Sequence, residues 1–467
     1  MLTIAAGQPL LTPEAMRAAE ASAIAAGTPA LVLMERAAAA SVAAIRRFCP
    51  SGEALVLCGP GNNGGDGYGV ACLLRDAGVK VRVAASGTAS GDPAAVMAAR
   101  WGGPVESLAD AAPAPVIIDA LFGAGLARPI PETVQAAIDR LRGAGAIVVA
   151  IDIASGVDAA SGAALGRPLA ADMTVTFAAM KRGHATGAGR ALTGRPVVAD
   201  IGLGPTVCPV RLVPAPRRLA LPADTHKFRR GAVLVIEGNA ARGGAAGLTA
   251  LAALRSGAGV VTIAGTSAPA DAIMRRSDSE ARAMLGDRRL GAIAIGPGLV
   301  DDTRTRDWLA RVLVGAVPAV IDAGAFALLP AIDPVAALAA AAGPIVLTPH
   351  DGEFVRLFGA IGPDRIGAAQ AAAIASDAVV VLKGAETIIA APDGRAAVNT
   401  HAAAWLATAG SGDALTGIIA GLIAQGLAPF DAARAGVWLH GDCGIRGGPG
   451  LIADDIPGLL PAVLAGL

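Results

Sequence analysis

TAGSGDALTGIIAGLIAQG, residues 408–426, reads as a glycine-rich turn running into an apolar helix. Such a turn offers unpaired backbone amides and the positive end of a helix to phosphate oxygens. Asp413 falls in the first turn of that helix, where a carboxylate is stabilised as the anion. Beside bound phosphates it can take the proton of a substrate hydroxyl. An aspartate that only caps its helix is the plainer account, but Ser411 and Gly412 just upstream make a phosphate-shaped loop that a cap does not need. No GxxxxGK[ST] motif occurs in the chain, so phosphate handling falls to this turn and to a metal.

Working outward, short apolar runs precede the turn: GAVLVIEG at 231–238, then GVVTIAG, GAIAIGPG, AVIDAG, PIVLTPH and AVVVLKG. They alternate with alanine-rich helical stretches, the pattern of βαβ units and a parallel sheet. In open α/β sheets the ligand lies beyond the carboxyl ends of the strands, so the polar residues ending these runs are the candidates for contact. Between Gly202 and Asp224 five prolines interrupt any regular helix, and the domain boundary is placed there, giving domains 1–215 and 216–467. The first domain repeats the pattern with ALVLC at 54–58, VKVRVAA at 79–85, PVIID at 115–119 and AIVVAID at 146–152.

The strand 54–58 leads into GPGNNGGDGYGVA, residues 59–71. Its glycines allow positive φ and let amides approach an anion at a helix start, although a tight strand-to-helix turn without a ligand explains glycines equally well. Asn62, Asn63 and Asp66 tip the balance toward a site. Asp119 ends the third run before the glycine loop 122–129, and Asp152 ends the fourth before Ser155. Oxygen donors of this kind suit a hard cation.

These three segments are similar to the N-terminal epimerase domain of the bifunctional NAD(P)H-hydrate repair enzymes, over residues 10–215. The resemblance implies that Asn62, Asn63, Gly64, Gly65 and Asp66 bind the hydrated dinucleotide. It adds contacts from Gly123, Ala124, Gly125, Leu126, Ala127, Arg128, Pro129 and Asp152, and K⁺ on Asn63, Asp119 and Ser155. The GSGD turn resembles the anion hole of the ribokinase-like fold. With HKFRRGAVLVIEG, RSGAGVVTI, GPGL, LTPHDGEFVRLFG and LKGAET, the second half resembles the ADP-dependent NAD(P)H-hydrate dehydratase domain over residues 225–467. That implies ADP contacts from Lys383, Gly384, Ala385, Glu386, Thr387 and Gly412, with Ser411 in the same turn, and hydrate contacts from Ala258, Gly298, His350 and Asp413. The expected fold is α/β throughout: a Rossmann-like three-layer sandwich followed by a ribokinase-like domain. The chain departs from the family pattern at Ala154, Phe228 and Val300, where a proline and two glycines are usual; the two glycine replacements put local loop shape near the substrate in doubt.

The resemblance implies exchange of the R and S hydrates (NADHX and NADPHX) in the first domain and dehydration of the S form with ADP and Mg²⁺ in the second, releasing AMP and phosphate. Asp152 is the expected proton carrier of the first reaction and Asp413 the base of the second; Lys181 and His184 are second candidates for the first, though a lysine or histidine there is more often a surface or packing residue. Two other readings stay open: a vitamin-precursor or sugar kinase, since fold does not fix substrate, and a first half that binds nucleotide without turning it over.

Bulk properties set the frame. The chain has 467 residues, 54% hydrophobic and 16% charged, with 38 Lys plus Arg against 38 Asp plus Glu. No net field exists to gather nucleic acid or an anionic membrane surface, so neither is expected as a partner. Five cysteines without CxxC spacing argue against a disulfide framework or zinc. A reducing, cytoplasmic setting is expected, as are a homo-oligomer and a buried helix rather than a membrane span for the apolar stretch 414–430.

Overall fold

The computed structural model describes residues 2–4, 7–49, 52–204, 207–218, 220–238, 243–267, 269–329 and 333–467. The chain divides into two compact units, Gln8–Cys208 and a second formed by Met1–Gly7 with Pro209–Leu467. The boundary thus falls seven residues before the expected 215/216, and the N-terminus belongs to the second unit. Strand pairing explains both differences. Leu2–Ile4 pairs antiparallel with Pro216–Arg218, and Val210–Leu212 pairs parallel with Ala396–Asn399. Pro209 and Pro216 lie at the starts of such edge pairings, where a missing N–H costs no ladder bond. Pro205, another of the boundary prolines, is outside the described residues.

In the Gln8–Cys208 unit seven parallel strands lie in the order Arg195–Ala199, Met173–Phe177, Ile147–Ile151, Val116–Ala120, Ala54–Cys58, Val81–Ala85, Val105–Ser107. Strands buried on both faces need apolar side chains in both directions. Val56, Ile118 and Val149 pack with Met34, Ala38 and Tyr68 of the helices Ala30–Phe48 and Asn62–Asp76. Their alternates Leu55, Ile117 and Val148 pack with Val134 and Ile138 of the helix Glu132–Leu141. The result is three layers.

The second unit carries a ten-stranded sheet whose middle strands are parallel in the order Val379–Leu382, Ile345–Leu347, Ala319–Ile321, Leu290–Ile295, Ala232–Ile236, Val260–Ala264. An antiparallel extension, Thr387–Ala390 and Ala396–Asn399, follows Val379–Leu382. The apolar stretch after Asp413 is the helix Ser411–Ala424, buried over most of its length and ended ahead of a separate helix, Pro429–Gly447. Among the described residues no single helix is long and apolar enough to cross a membrane.

Candidate functional site

Two sites stand at carboxyl ends of strands, one in each unit. The first is a cavity of about 800 Å³ lined by Asn62, Asn63 and Asp66, by the loop residues Gly123 to Arg128, and by Asp152. Gly64 and Gly65, expected to contact ligand, are buried instead as packing positions. A Cβ on Gly65 would stand 2.8 Å from Ala94 Cα, and one on Gly64 would run into the Gly59 carbonyl. They let the helix close on its neighbours, and Asn62 and Asn63 then reach the cavity from its first turn. Pro129 lies outside the lining, at the exposed end of the loop.

Beneath the loop, Asp119 and Ser155 are buried and joined. Ser155 donates its hydroxyl to Asp119 Oδ1 at 2.6 Å and its amide to Oδ2 at 2.8 Å, and the Phe122 amide donates to Ser155 Oγ at 2.8 Å. Burial pushes the Asp119 carboxyl up, and these donors only partly oppose it. Asn63 supplies the contrast: its Oδ1 and Nδ2 are both buried without a hydrogen-bond partner. A Cβ on Gly123 would lie 3.2 Å from Asn63 Cγ, so the orphaned amide is one residue from the Phe122 backbone that Ser155 holds. A buried amide left unsatisfied costs about 1–3 kcal/mol, and a small oxygen-seeking cation at this place would relieve it. Oxygens of Asn63, Asp119 and Ser155 are donors that suit a hard cation.

Asp152 is held on every side. Its Oδ1 accepts from Lys181 Nζ at 2.5 Å, its Oδ2 from the Ala124 amide at 2.9 Å, and its carbonyl is 2.9 Å from His184 Nε2. The backbone is left-handed, φ 67°, a conformation aspartate tolerates better than most residues. Burial works to raise its carboxyl, yet the Lys181 ammonium and the hydrogen bonds hold it below the usual aspartate range. Asp152 therefore stays an anion and cannot donate a proton at neutral pH. His184 is no carrier either. Burial takes its imidazole down to about 4; Nδ1 accepts the Lys181 amide at 2.9 Å while Nε2 faces the Asp152 carbonyl. Its role is to fix the strained turn.

In the second unit the carboxyl ends of adjacent strands carry Gly298, Asp322, His350 and Lys383, and the first turn of the helix Ser411–Ala424 lies among them. Gly410 has φ 85°, and a Cβ there would be 2.8 Å from Leu248 Cδ1. A Cβ on Gly412 would lie 3.3 Å from Lys383 Nζ and 3.8 Å from Asp322 Oδ2, so lysine, carboxylate and turn meet. Asp322 is 1% exposed; it accepts Lys383 Nζ at 2.9 Å and Thr416 Oγ1 at 2.8 Å. The Asp413 carboxyl is raised to about 6 by burial first and by the Asp322 charge second, against the pull of Lys383. A carboxyl at that value can exchange protons near neutral pH. Ser411 Oγ is 2.9 Å from His440 Nε2, which steadies the turn.

Other expected contacts separate. His350 caps the helix Asp351–Phe358, with Nδ1 accepting the Gly352 amide at 3.0 Å, and its ring is largely exposed at the strand end. Glu386 is buried beside Arg365, 3.3 Å away, and Arg365 also forks onto Asp351. Its carboxylate thus shapes the Gly384–Ala385 turn, where both residues are exposed, and Thr387 opens the following strand. Ala258 is displaced outright: 1% exposed in the core, it precedes Val260–Ala264 at the amino end of that strand, away from the edge that carries Asp413. Phe228 likewise precedes Ala232–Ile236 and packs against Arg289, 4.4 Å from the ring centroid, so it does not touch the loops at the carboxyl edge. Val300 has no positive φ to demand glycine. Asp322, Thr416 and Glu20 were missed; for Asp322 the signal was present, a carboxylate closing the run AVID.

Residues 233–448 match the family described as NAD(P)H-hydrate dehydratase, and residues 30–183 the family described as YjeF-related protein N-terminus. A bifunctional NAD(P)H-hydrate repair enzyme of Moorella thermoacetica is 38% identical over 94% of this chain and 93% of its own length. One from Salinibacter ruber is 36% identical over 98% and 96%. An ADP/ATP-dependent NAD(P)H-hydrate dehydratase of Bacillus subtilis, crystallised with ATP and Mg²⁺, is 31% identical over 53% of this chain and 93% of its own, with a TM-score of 0.47. Matched in both halves and along nearly its whole length, the chain belongs to the bifunctional NAD(P)H-hydrate repair enzymes, joining an epimerase and a dehydratase in one polypeptide.

Proposed function

We propose that the second unit dehydrates the S hydrates of NADH and NADPH at the expense of ADP, releasing AMP and phosphate, and that the first unit supplies it by exchanging R and S. Hydroxide leaves C6 poorly, so the oxygen must first become a better leaving group. Asp413 takes the C6 hydroxyl proton, and the oxygen attacks the terminal phosphorus as the bond to AMP breaks. Phosphate then departs with the C6–O electron pair, and loss of a C5 proton restores the dihydronicotinamide. The observation that carries this reading is the Asp413 carboxylate in the first turn of a helix whose Gly412 faces Lys383. Lys383 and the turn amides around Ser411 and Gly412 hold the phosphates. Among the described residues no cluster of three metal-binding side chains exists; Mg²⁺ would be held largely by phosphate oxygens and water, where it offsets their charge.

In the first unit the ring of the hydrate lies against Asp152, whose anion accepts hydrogen bonds and stabilises positive charge developing at C6 and N1. K⁺ would be held by Asn63, Asp119 and Ser155 under the loop that covers the ring. The test is to give the purified chain R and S hydrates with and without ADP and follow the reduced-nicotinamide absorbance together with free phosphate. Recovery of both epimers only with nucleotide supports the reading, and a phosphorylated product that accumulates without restored absorbance overturns it.

A further inference from the structure

Three carboxylates reach the first cavity from three elements: Glu20 from the helix Pro13–Ala25, Asp66 from the helix Asn62–Asp76, and Asp152 from the end of Ile147–Ile151. Only Asp152 is compensated. Lys181 Nζ, 1% exposed, lies 2.5 Å from Asp152 and 2.8 Å from Thr176 Oγ1, so its charge is already committed. Neither Glu20 nor Asp66 makes a side-chain hydrogen bond or ion pair among the described residues. Epimerisation nonetheless requires an acid, and the fixed anion Asp152 is not one.

We propose that Glu20, on a helix outside every motif that marks this site, is the catalytic acid of the epimerase, facing the same cavity as Asp152 and Asp66. The proposal rests on the epimerase reading of the cavity. Glu20 delivers its proton to the C6 oxygen; the C6–O bond breaks with its electron pair going to oxygen, and water leaves. The N1 lone pair closes an N1=C6 iminium between the Glu20 and Asp152 carboxylates. Water adds to the opposite face, its electron pair forming the new C6–O bond; the proton it releases passes to solvent, and Glu20 regains a proton from solvent. No outside reductant, oxidant or nucleotide enters.

The charges facing Glu20 agree with this role. Burial and the Asp152 carboxylate raise it, while Lys181 and Arg17, the latter on its own helix, pull the other way without reversing the shift. Asp66 is raised well above the ordinary range by burial, then by Asp152 and Glu20, against Lys181. Arg17 is also 2.9 Å from Glu14, and Arg128 lines the cavity from the loop.

The experiment follows R/S exchange of NADH hydrate by NMR on the full chain without nucleotide, for wild type, Glu20→Gln and Glu20→Asp, over a pH series with an unfolding midpoint for each protein. The acid is active when protonated, so wild-type exchange declines as pH rises through the raised pKa of Glu20. Glu20→Gln is expected to lose roughly a hundredfold in kcat, keep its KM within a few-fold and lose that alkaline decline; Glu20→Asp is expected to keep part of the rate with the decline moved to a different pH. A glutamine variant with wild-type rate and pH profile overturns the proposal while leaving the epimerase reading intact. If the glutamine variant melts early, the aspartate variant decides: an unchanged profile overturns the proposal and a shifted limb supports it. Wild type without exchange above the spontaneous rate removes the epimerase reading, and the proposal falls with it.

Discussion

The Lys181 ammonium lies 2.5 Å from the Asp152 carboxylate, with the lysine side chain only 1% exposed. This pair sets the electrostatics of the epimerase cavity and its stability against acid. The folded-state pKa of Asp152 is depressed, so the stabilisation it carries is fully present above its unfolded value of about 3.9 and is lost as pH falls through the lower folded value. Lys181→Met leaves the buried carboxylate without its counter-ion, and removing one member of a buried pair costs about 3–5 kcal/mol. A lowered unfolding midpoint at neutral pH, with the Asp152 share of the acid destabilisation removed, is the expected result. Asp152→Asn tests the catalytic side: hydrate exchange measured by NMR is expected to drop by about 10²-fold or more, and an unchanged rate removes Asp152 from the chemistry.

With Asp413 as the proposed base, the pH dependence of dehydration follows its carboxyl. The base works when ionised, and its carboxyl stands at about 6, so kcat for ADP-dependent dehydration is expected to rise with pH and reach half its plateau near there. Burial is the larger cause and the Asp322 charge the second. Asp322→Asn removes that charge while leaving Lys383 nearby, and moves the acid limb to lower pH. Asp413→Ala is expected to abolish dehydration by about 10²–10⁴-fold while nucleotide binding, read by calorimetry, persists.

What was legible in the sequence follows the physics of each signal. Parallel strands buried on both faces are continuous apolar runs, so Ala54–Cys58, Ala232–Ile236 and Val379–Leu382 stand where the pattern placed them. Met274–Arg276 is exposed at a sheet edge, and its charged side chains leave no such run. The glycines of NNGGD illustrate the limit. Positive φ and close packing both select glycine, and only the neighbours Ala94 and Met34 reveal that Gly65 answers the second need. Glu20 was invisible because nothing in a helix such as PEAMRAAEASAIA marks which turn faces a cavity built by strands far along the chain. Ala258 failed for a related reason: RSGAGVVTI fixes the strand, but the sheet direction decides which of its ends meets the ligand.

Gly417 is where the helix Ser411–Ala424 presses on the helix Gly243–Arg255. A Cβ there would run into the Thr249 backbone, whose hydroxyl also donates to the Asp413 carbonyl at 3.0 Å. Forcing extra volume into a packed contact costs about 1–3 kcal/mol, more than the fraction of a kcal/mol to about 1 kcal/mol that alanine gains over glycine in a helix. Gly417→Ala is therefore expected to lower the unfolding midpoint of the second unit. Because Thr249 holds the backbone of Asp413, the same variant is expected to lose dehydration more than nucleotide binding. Equal stability, measured by denaturant unfolding, would show that the two helices can part at no cost.

The Asn63 amide separates a monovalent-cation site from an ordinary helix start. Both its polar atoms are buried and unpartnered, next to a loop whose Phe122 amide and carbonyl meet Ser155 at 2.8 and 3.2 Å. A bound K⁺ would satisfy the oxygen and draw the loop, Ser155 and the helix start together. Replacing K⁺ by tetramethylammonium, which offers no oxygen-coordinating surface, is then expected to slow R/S exchange and lower the unfolding midpoint of the first unit. Asn63→Ala is expected to lose that cation dependence, because removing an unsatisfied amide also removes the penalty the ion relieves. Titrating K⁺ against the unfolding midpoint checks both: binding to the folded state raises the midpoint with ion concentration, and a flat response in wild type excludes the cation from this place.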